Sequence, residues 1–157
     1  MTKQQTQEFC RTVQDNQFVM YRLAYRILRH QEDAKDAVGE AILRAYEHVE
    51  DLQEKDMLKS WILRIVINVS KTMWVKRKRE CICADKSYFD RPVEDEYREL
   101  WDLLQKLPKN QQDVIHLFFY EEYSIQEISQ ILGIPEGTVK SRMNRGERRL
   151  KKMLETM

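Results

Sequence analysis

Between Ala34 and Val49 the apolar residues return at steps of three and four: Ala34, Ala37, Val38, Ala41, Ile42, Ala45, Tyr46 and Val49. That period lines one face of an α-helix and suits neither face of a strand. Asp33, Asp36, Glu40, Arg44 and Glu47 fall on the opposite, charged side. The spacing recurs at Leu58, Trp61, Ile62, Ile65, Val66, Val69 and Met73, and only four glycines and three prolines interrupt 157 residues. The chain therefore reads as all-α, with no internal repeat and no low-complexity tract.

The periodicity places helices at 6–29 (interrupted near Asp15-Asn16), 32–49 and 57–80, enough to close a small three-helix-type bundle over residues 1–80. Residues 81–93, CICADKSYFDRPV, lose the period and contain Pro92, which reads as a flexible linker. Fully extended, such a segment reaches at most ~45 Å, more than the ~34 Å of one DNA turn. Helices at 94–106, 109–121, 125–132 and 136–154 then make a second, four-helix domain over 94–157.

No apolar run approaches the ~18 residues of a membrane span, and the N-terminus has no signal-peptide core, so a cytoplasmic protein without membrane insertion is expected. Cys10, Cys81 and Cys83 form an odd set. The C-x-C spacing is too tight for a metal site, and His30, His48 and His116 are scattered, so reduced thiols with no metal or cofactor are expected.

The formal net charge of +1 conceals an uneven distribution. Residues 1–80 carry 15 Lys/Arg against 12 Asp/Glu, residues 81–107 carry 4 against 7, and residues 108–157 carry 8 against 7. Lys71 to Arg79 holds five basic residues and no acid; Thr138 to Lys152 holds seven with one acid, Glu147. Two basic patches flanking an acidic middle suit a bipartite grip on a polyanion.

The second patch has a definite frame. Ser124 and Glu127 form an S-x-x-E capping box, which starts a helix with Ile125, Ile128, Ile131 and Leu132 on its apolar side. Gly133-Ile134-Pro135 ends it, Gly suiting the C′ position and Pro the next first turn. In the last helix Val139, Met143, Gly146, Leu150 and Met153 recur at steps of four, three, four and three, and Gly146 permits close approach of another backbone. Ser141, Asn144, Arg145 and Arg148 lie opposite, with Lys140 and Lys151 at the edge. A basic outer face can be merely solvated, but here the cap, the turn and the charge bias agree on a helix-turn-helix whose second helix enters a DNA major groove.

The stretch LPKNQQDVIHLFFYEEYSIQEISQILGIPEGTVKSRMNRGERRLKK closely resembles region 4 of bacterial RNA polymerase sigma factors of the extracytoplasmic-function (ECF) group. QEDAKDAVGEAILRAY and KSWILRIVINVSKTMWVKRKR resemble region 2 of the same group. The resemblance implies an initiation subunit that directs core polymerase to promoters, with phosphodiester chemistry left to the polymerase. It implies that Lys140, Ser141, Asn144 and Arg145 face bases or the adjoining backbone of the minus-35 element, while Arg148 and Arg149 hold phosphates. Region 2 would open the minus-10 element. There Asn68, beside Arg64 and Lys71, would line the pocket for a flipped base, with Glu50 to Asp56 as its other wall. Lys76, Arg77, Lys78 and Arg79 would run along phosphates.

The resemblance further implies docking of Asp36, Glu40 and Arg44 on the β′ clamp helices, a second contact to the β flap, and an anti-sigma partner. Leu63, Ile67 and Trp74, on the far side of the third helix from its main stripe, read either as contacts for that partner or as a second core face. Gly39 departs from the group, which usually has Gln there, and Ser129 replaces a small apolar residue. Two rival readings are a stand-alone helix-turn-helix regulator and a degenerate sigma paralogue that titrates a partner.

Overall fold

A computed structural model describes residues 2–80 and 102–156. The chain divides into two compact units, Met1–Asp90 and Arg91–Met157. All regular elements among the described residues are helical; the segment read as a linker lies outside them.

The first unit holds α1 (Lys3–Asp15), α2 (Gln17–Leu28), α3 (Gln31–His48) and α4 (Leu58–Glu80). Thr2 and Gln5 close a reciprocal capping box that starts α1. The expected interruption falls at Asn16, whose side-chain amide donates to the Thr12 carbonyl at 2.8 Å beside its own backbone N–H, which reaches the same carbonyl at 3.2 Å and the Val13 carbonyl at 3.3 Å. Arg29 ends α2 in the left-handed region (φ 55°), its N–H bonded back to the Tyr25 carbonyl at 2.7 Å. One residue later the His30 ring nitrogen accepts the Asp33 N–H and caps α3.

The inner face of α3 is almost pure alanine: Ala34, Ala37, Ala41 and Ala45 are all fully buried. So small a face lets α3 pack closely on α2 and α4. Two expectations for α3 are corrected. Tyr46, read as core, is 51% exposed, because the alanines fill the available space and the ring turns out to meet Phe9 edge-on. Asp33, read as surface, is 3% exposed.

Helix α4 is buried on two sides, by Ile62, Val66 and Val69 and also by Leu63 and Ile67. It contacts α1, α2 and α3 together. Leu63 and Ile67 therefore belong to the core, not to a surface for an anti-sigma factor; Trp74 stays half-buried. The 49–57 connection consists of two short 3-10 turns, Val49–Asp51 and Lys55–Met57.

The second unit has a helical turn at 102–105, then α5 (Lys109–Ile115), α6 (Ile125–Leu132) and α7 (Glu136–Glu155). The helix expected to run unbroken over 109–121 widens into a π turn at His116–Tyr120, with the Glu121 N–H reaching the His116 carbonyl at 3.2 Å. The core joins Leu103, Leu107, Val114, Leu117, Tyr123, Ile128, Ile131, Val139 and Met143.

Gly146 is the tight point of this packing. A Cβ built there would collide with Ile115 Cδ1 and stand 3.3 Å from its Cγ1 and 3.5 Å from Gln111 Cβ. The close approach is thus by a side chain of α5. Gly146→Ala should destabilise this unit by roughly 1–3 kcal/mol through overpacking, although Ala favours helix. Ile115→Val removes the offending Cδ1 and alone should cost about 0.5–1.5 kcal/mol. In the double variant the two losses should fail to add, a non-additivity that urea unfolding of the four proteins measures.

Candidate nucleic-acid interface

The recognition unit is built from the turn outward. Ser124 Oγ accepts the Glu127 N–H at 3.1 Å while the Glu127 carboxylate accepts the Ser124 N–H at 3.2 Å, so α6 starts where the sequence places it. Gly133 takes the left-handed conformation (φ 68°) and its N–H returns to the Ser129 carbonyl at 2.9 Å. Ser129 then adds a second tie, its hydroxyl donating to the Ile134 carbonyl at 2.5 Å. A small apolar residue could not make that bond, which ties α6 to the residue just before Pro135 and α7.

On α7, Val139, Met143 and Gly146 are buried, whereas Lys140, Ser141, Asn144, Arg145, Arg148 and Arg149 are all exposed. One side seats the helix and the other offers cations, an amide and a hydroxyl over nearly three turns. Arg and Lys match guanine edges, and Asn matches adenine. Ser141 donates its proton to the Thr138 carbonyl at 3.1 Å, leaving its oxygen lone pairs as acceptors.

On α4 the candidates for the second patch separate. Arg64, Asn68 and Lys71 share one face, Asn68 exposed and the other two half-buried. The cavity beside the 49–57 turns is lined by Gln5, Glu8, Val49, Glu50, Leu52, Lys55 and Leu58, and measures about 60 Å³. Asn68 is not among its walls, and the volume suits a few water molecules rather than a nucleobase.

At the helix end Lys76, Lys78 and Arg79 are exposed, but Arg77 turns inward. Its guanidinium lies 3.3 Å from the buried Asp33 carboxylate and 3.2 Å from Glu80. Asp33 also lies 3.6 Å from the His30 ring. Arg77 thus ties the end of α4 to the start of α3, which explains why Asp33 can be buried.

The expected polymerase-facing residues come together on the outer side of α3. Glu40 and Arg44 pair at 2.6 Å with both side chains about half exposed, and Asp36 is exposed one turn earlier. Gly39 beside them is exposed, with no atom within 4 Å of a built Cβ.

Sequence reading missed an apolar groove on the second unit, about 470 Å³, lined by Leu104, Ile115, Phe119, Tyr120, Leu150 and Leu154 with Glu147 and Lys151 at its edge. Phe119, Tyr120 and Leu154 are each about half exposed. The signal was Phe118-Phe119-Tyr120: three consecutive aromatics fan over ~200° of a helix and cannot all face one core. Among the described residues no group of His, Cys, Asp or Glu is arranged to hold a metal. Cys10 is an exposed free thiol, and Cys81 and Cys83 lie outside the described residues.

Residues 12–80 match the family Sigma-70 region 2, and residues 97–150 match Sigma-70, region 4. The RNA polymerase sigma factor SigV of Bacillus subtilis is 31% identical over 137 residues, covering 85% of this chain and 82% of that protein. The ECF RNA polymerase sigma factor SigW of the same organism is 30% identical, covering 88% and 84%. The chain belongs to the ECF family of RNA polymerase sigma factors. The fold resembles that of solved structures. The sigma factor RpoE of Bartonella quintana, crystallised with the anti-sigma factor NepR, matches with a TM-score of 0.71 at 22% identity over 98% of both chains. CnrH, in complex with the cytosolic domain of CnrY, matches with a TM-score of 0.72 at 20% identity, over 94% of this chain and 88% of that one.

The sigma factor's basic run at 76–79 therefore contains two kinds of cation. Arg77→Ala should lower the stability of the first unit by about 1–3 kcal/mol, because it strips a partner from a buried carboxylate. Lys78→Ala should leave thermal unfolding unchanged and reduce affinity for promoter DNA. Equal melting temperatures for the two variants would contradict this division.

Proposed function

We propose that this ECF sigma factor reads the minus-35 element with the outer face of α7 and the opened minus-10 element with α4. The observation that carries the reading is the α7 partition, with six polar or cationic side chains outward and Val139, Met143 and Gly146 inward behind a capped, glycine-ended α6. Lys140, Ser141, Asn144 and Arg145 would meet bases or the adjoining backbone. Arg148 and Arg149, further along, would hold phosphates.

Asn68, Arg64 and Lys71 would meet the unpaired strand, and Lys76, Lys78 and Arg79 its phosphates; Arg77 would position them rather than join them. A flipped base costs a few kcal/mol of lost stacking, which these contacts must offset. Asn68 would meet the base at the open surface of α4, since the cavity by the 49–57 turns is separate from it.

Asp36, Glu40 and Arg44 on α3 would dock on the β′ clamp helices of core polymerase, and the apolar groove of the second unit would receive the β flap. The chain would supply no catalytic group, acting in the cytoplasm as an initiation subunit while the polymerase makes the bonds. No described helix is long and apolar enough to cross a membrane. An anti-sigma factor would complete the cycle, as in the complex of RpoE with NepR.

Arg145→Ala should weaken binding to a labelled promoter by about 1–3 kcal/mol and relax selectivity at one minus-35 position. Arg148→Ala should weaken all sequences alike and flatten the salt dependence by about one. Fluorescence anisotropy with holoenzyme on a panel of minus-35 variants separates the two. A uniform loss for Arg145→Ala would restrict that residue to phosphate. Asn68→Ala should reduce permanganate reactivity of the minus-10 thymines more than it reduces recruitment.

A further inference from the structure

The outer surface of α3 contains more than the charged residues assigned to polymerase docking. Asp36, Gly39, Leu43 and Tyr46 follow one another at steps of three, four and three, which makes a single seam along the helix. Leu43 is 64% exposed and Tyr46 51% exposed. Tyr46 is nevertheless held, its ring against Phe9 with centroids 5.8 Å apart.

Between the acid and the apolar pair sits Gly39, and neither the fold nor the backbone asks for it. Its φ is not in the left-handed region, and a Cβ would meet nothing within 4 Å. An exposed mid-helix glycine lowers stability without any return inside this chain. What it does provide is a notch, with the helix backbone open to close approach from outside.

We infer that Gly39 is the hole of a knobs-into-holes contact, in which a bulky apolar side chain from a polymerase helix seats over the notch and packs on Leu43 and Tyr46. The charge pattern specifies the rest of the occupant. Arg44 is folded onto Glu40 and Lys35 onto Glu32, at 2.6 and 3.5 Å, so the cations of α3 are internally satisfied. Asp36 makes no ion pair among the described residues. The occupant is therefore a helix with an apolar knob and a Lys or Arg about one turn away, set to meet Asp36. This inference rests on the assignment of α3 to polymerase docking and deepens it: the departure from Gln at position 39 is a change of geometry, not a lost contact.

Substitutions at Gly39 give the two ideas opposite signs. If the notch is used, Gly39→Ala should raise the melting temperature of the first unit by about 4–8 °C yet weaken binding to core polymerase severalfold. Gly39→Gln should weaken it tenfold or more, and Leu43→Ala by a similar factor without loss of helicity. Titration of labelled full-length protein with core polymerase, alongside circular dichroism melting, reads both. Tighter core binding by Gly39→Gln would overturn the notch while leaving the docking surface intact. Unchanged binding by Gly39→Gln, Leu43→Ala and Asp36→Lys together would overturn the docking assignment itself.

Discussion

A carboxylate removed from water must find cations or give up its charge, and Asp33 meets that requirement by drawing Arg77 across from another helix. The pair joins the first turn of α3 to the last turns of α4. Those two places matter separately to a sigma factor: α3 carries the surface assigned to polymerase, and the end of α4 carries the surface assigned to phosphates. With Arg77 drawn inward, Lys76, Lys78 and Arg79 are oriented outward around it. Further along α3 the packing is carried by the small buried side chains of Ala34, Ala37, Ala41 and Ala45.

Much of this was legible in the sequence. The capping box at Ser124 and Glu127, the left-handed Gly133 and the inward stripe of α7 are local rules, each set by a few neighbouring residues, and the structure follows them as far as Val139, Met143 and Gly146, while Leu150 and Met153 are only half-buried. The break at Asn16 was legible for the same reason. Burial on α3 and α4 was less so. Period 3.6 shows which side of a helix is apolar, but not how many partners surround it. Helix α4 meets three others, so Leu63 and Ile67 are core although they lie off its main stripe. Asp33 and Tyr46 exchanged places against expectation because polarity is a poor guide where a distant residue, Arg77 or Phe9, supplies the partner. The π turn at His116–Tyr120 had no local signature beyond three aromatics in a row.

The two surfaces proposed to meet DNA ask different things of their scaffolds. Reading a duplex groove needs a stiff helix presented at a fixed angle. The second unit supplies this with redundant ties at one turn: a cap at Ser124, the Gly133 amide returning to the Ser129 carbonyl, and the Ser129 hydroxyl on the Ile134 carbonyl. Meeting an unpaired strand needs accessible polar groups on a helix that will not itself deform. The doubly buried α4 answers that need, with Asn68 exposed between half-buried Arg64 and Lys71.

A protein with two such surfaces could in principle hold promoter DNA alone, but the energetics argue against it. The cations on α7 can neutralise about three or four phosphates' worth of charge, a salt slope of roughly −3 to −4, which at physiological salt is a weak grip. The α4 surface adds little until a base is unstacked, and a duplex does not open for a ligand that gains less than the few kcal/mol unstacking costs. Joining two weak sites helps only when they are held at matching separation, since the effective concentration of the second site falls away otherwise. Polymerase docking on α3 and in the apolar groove of the second unit would set that separation from outside. On this reading specificity would belong to the assembled holoenzyme rather than to the chain by itself.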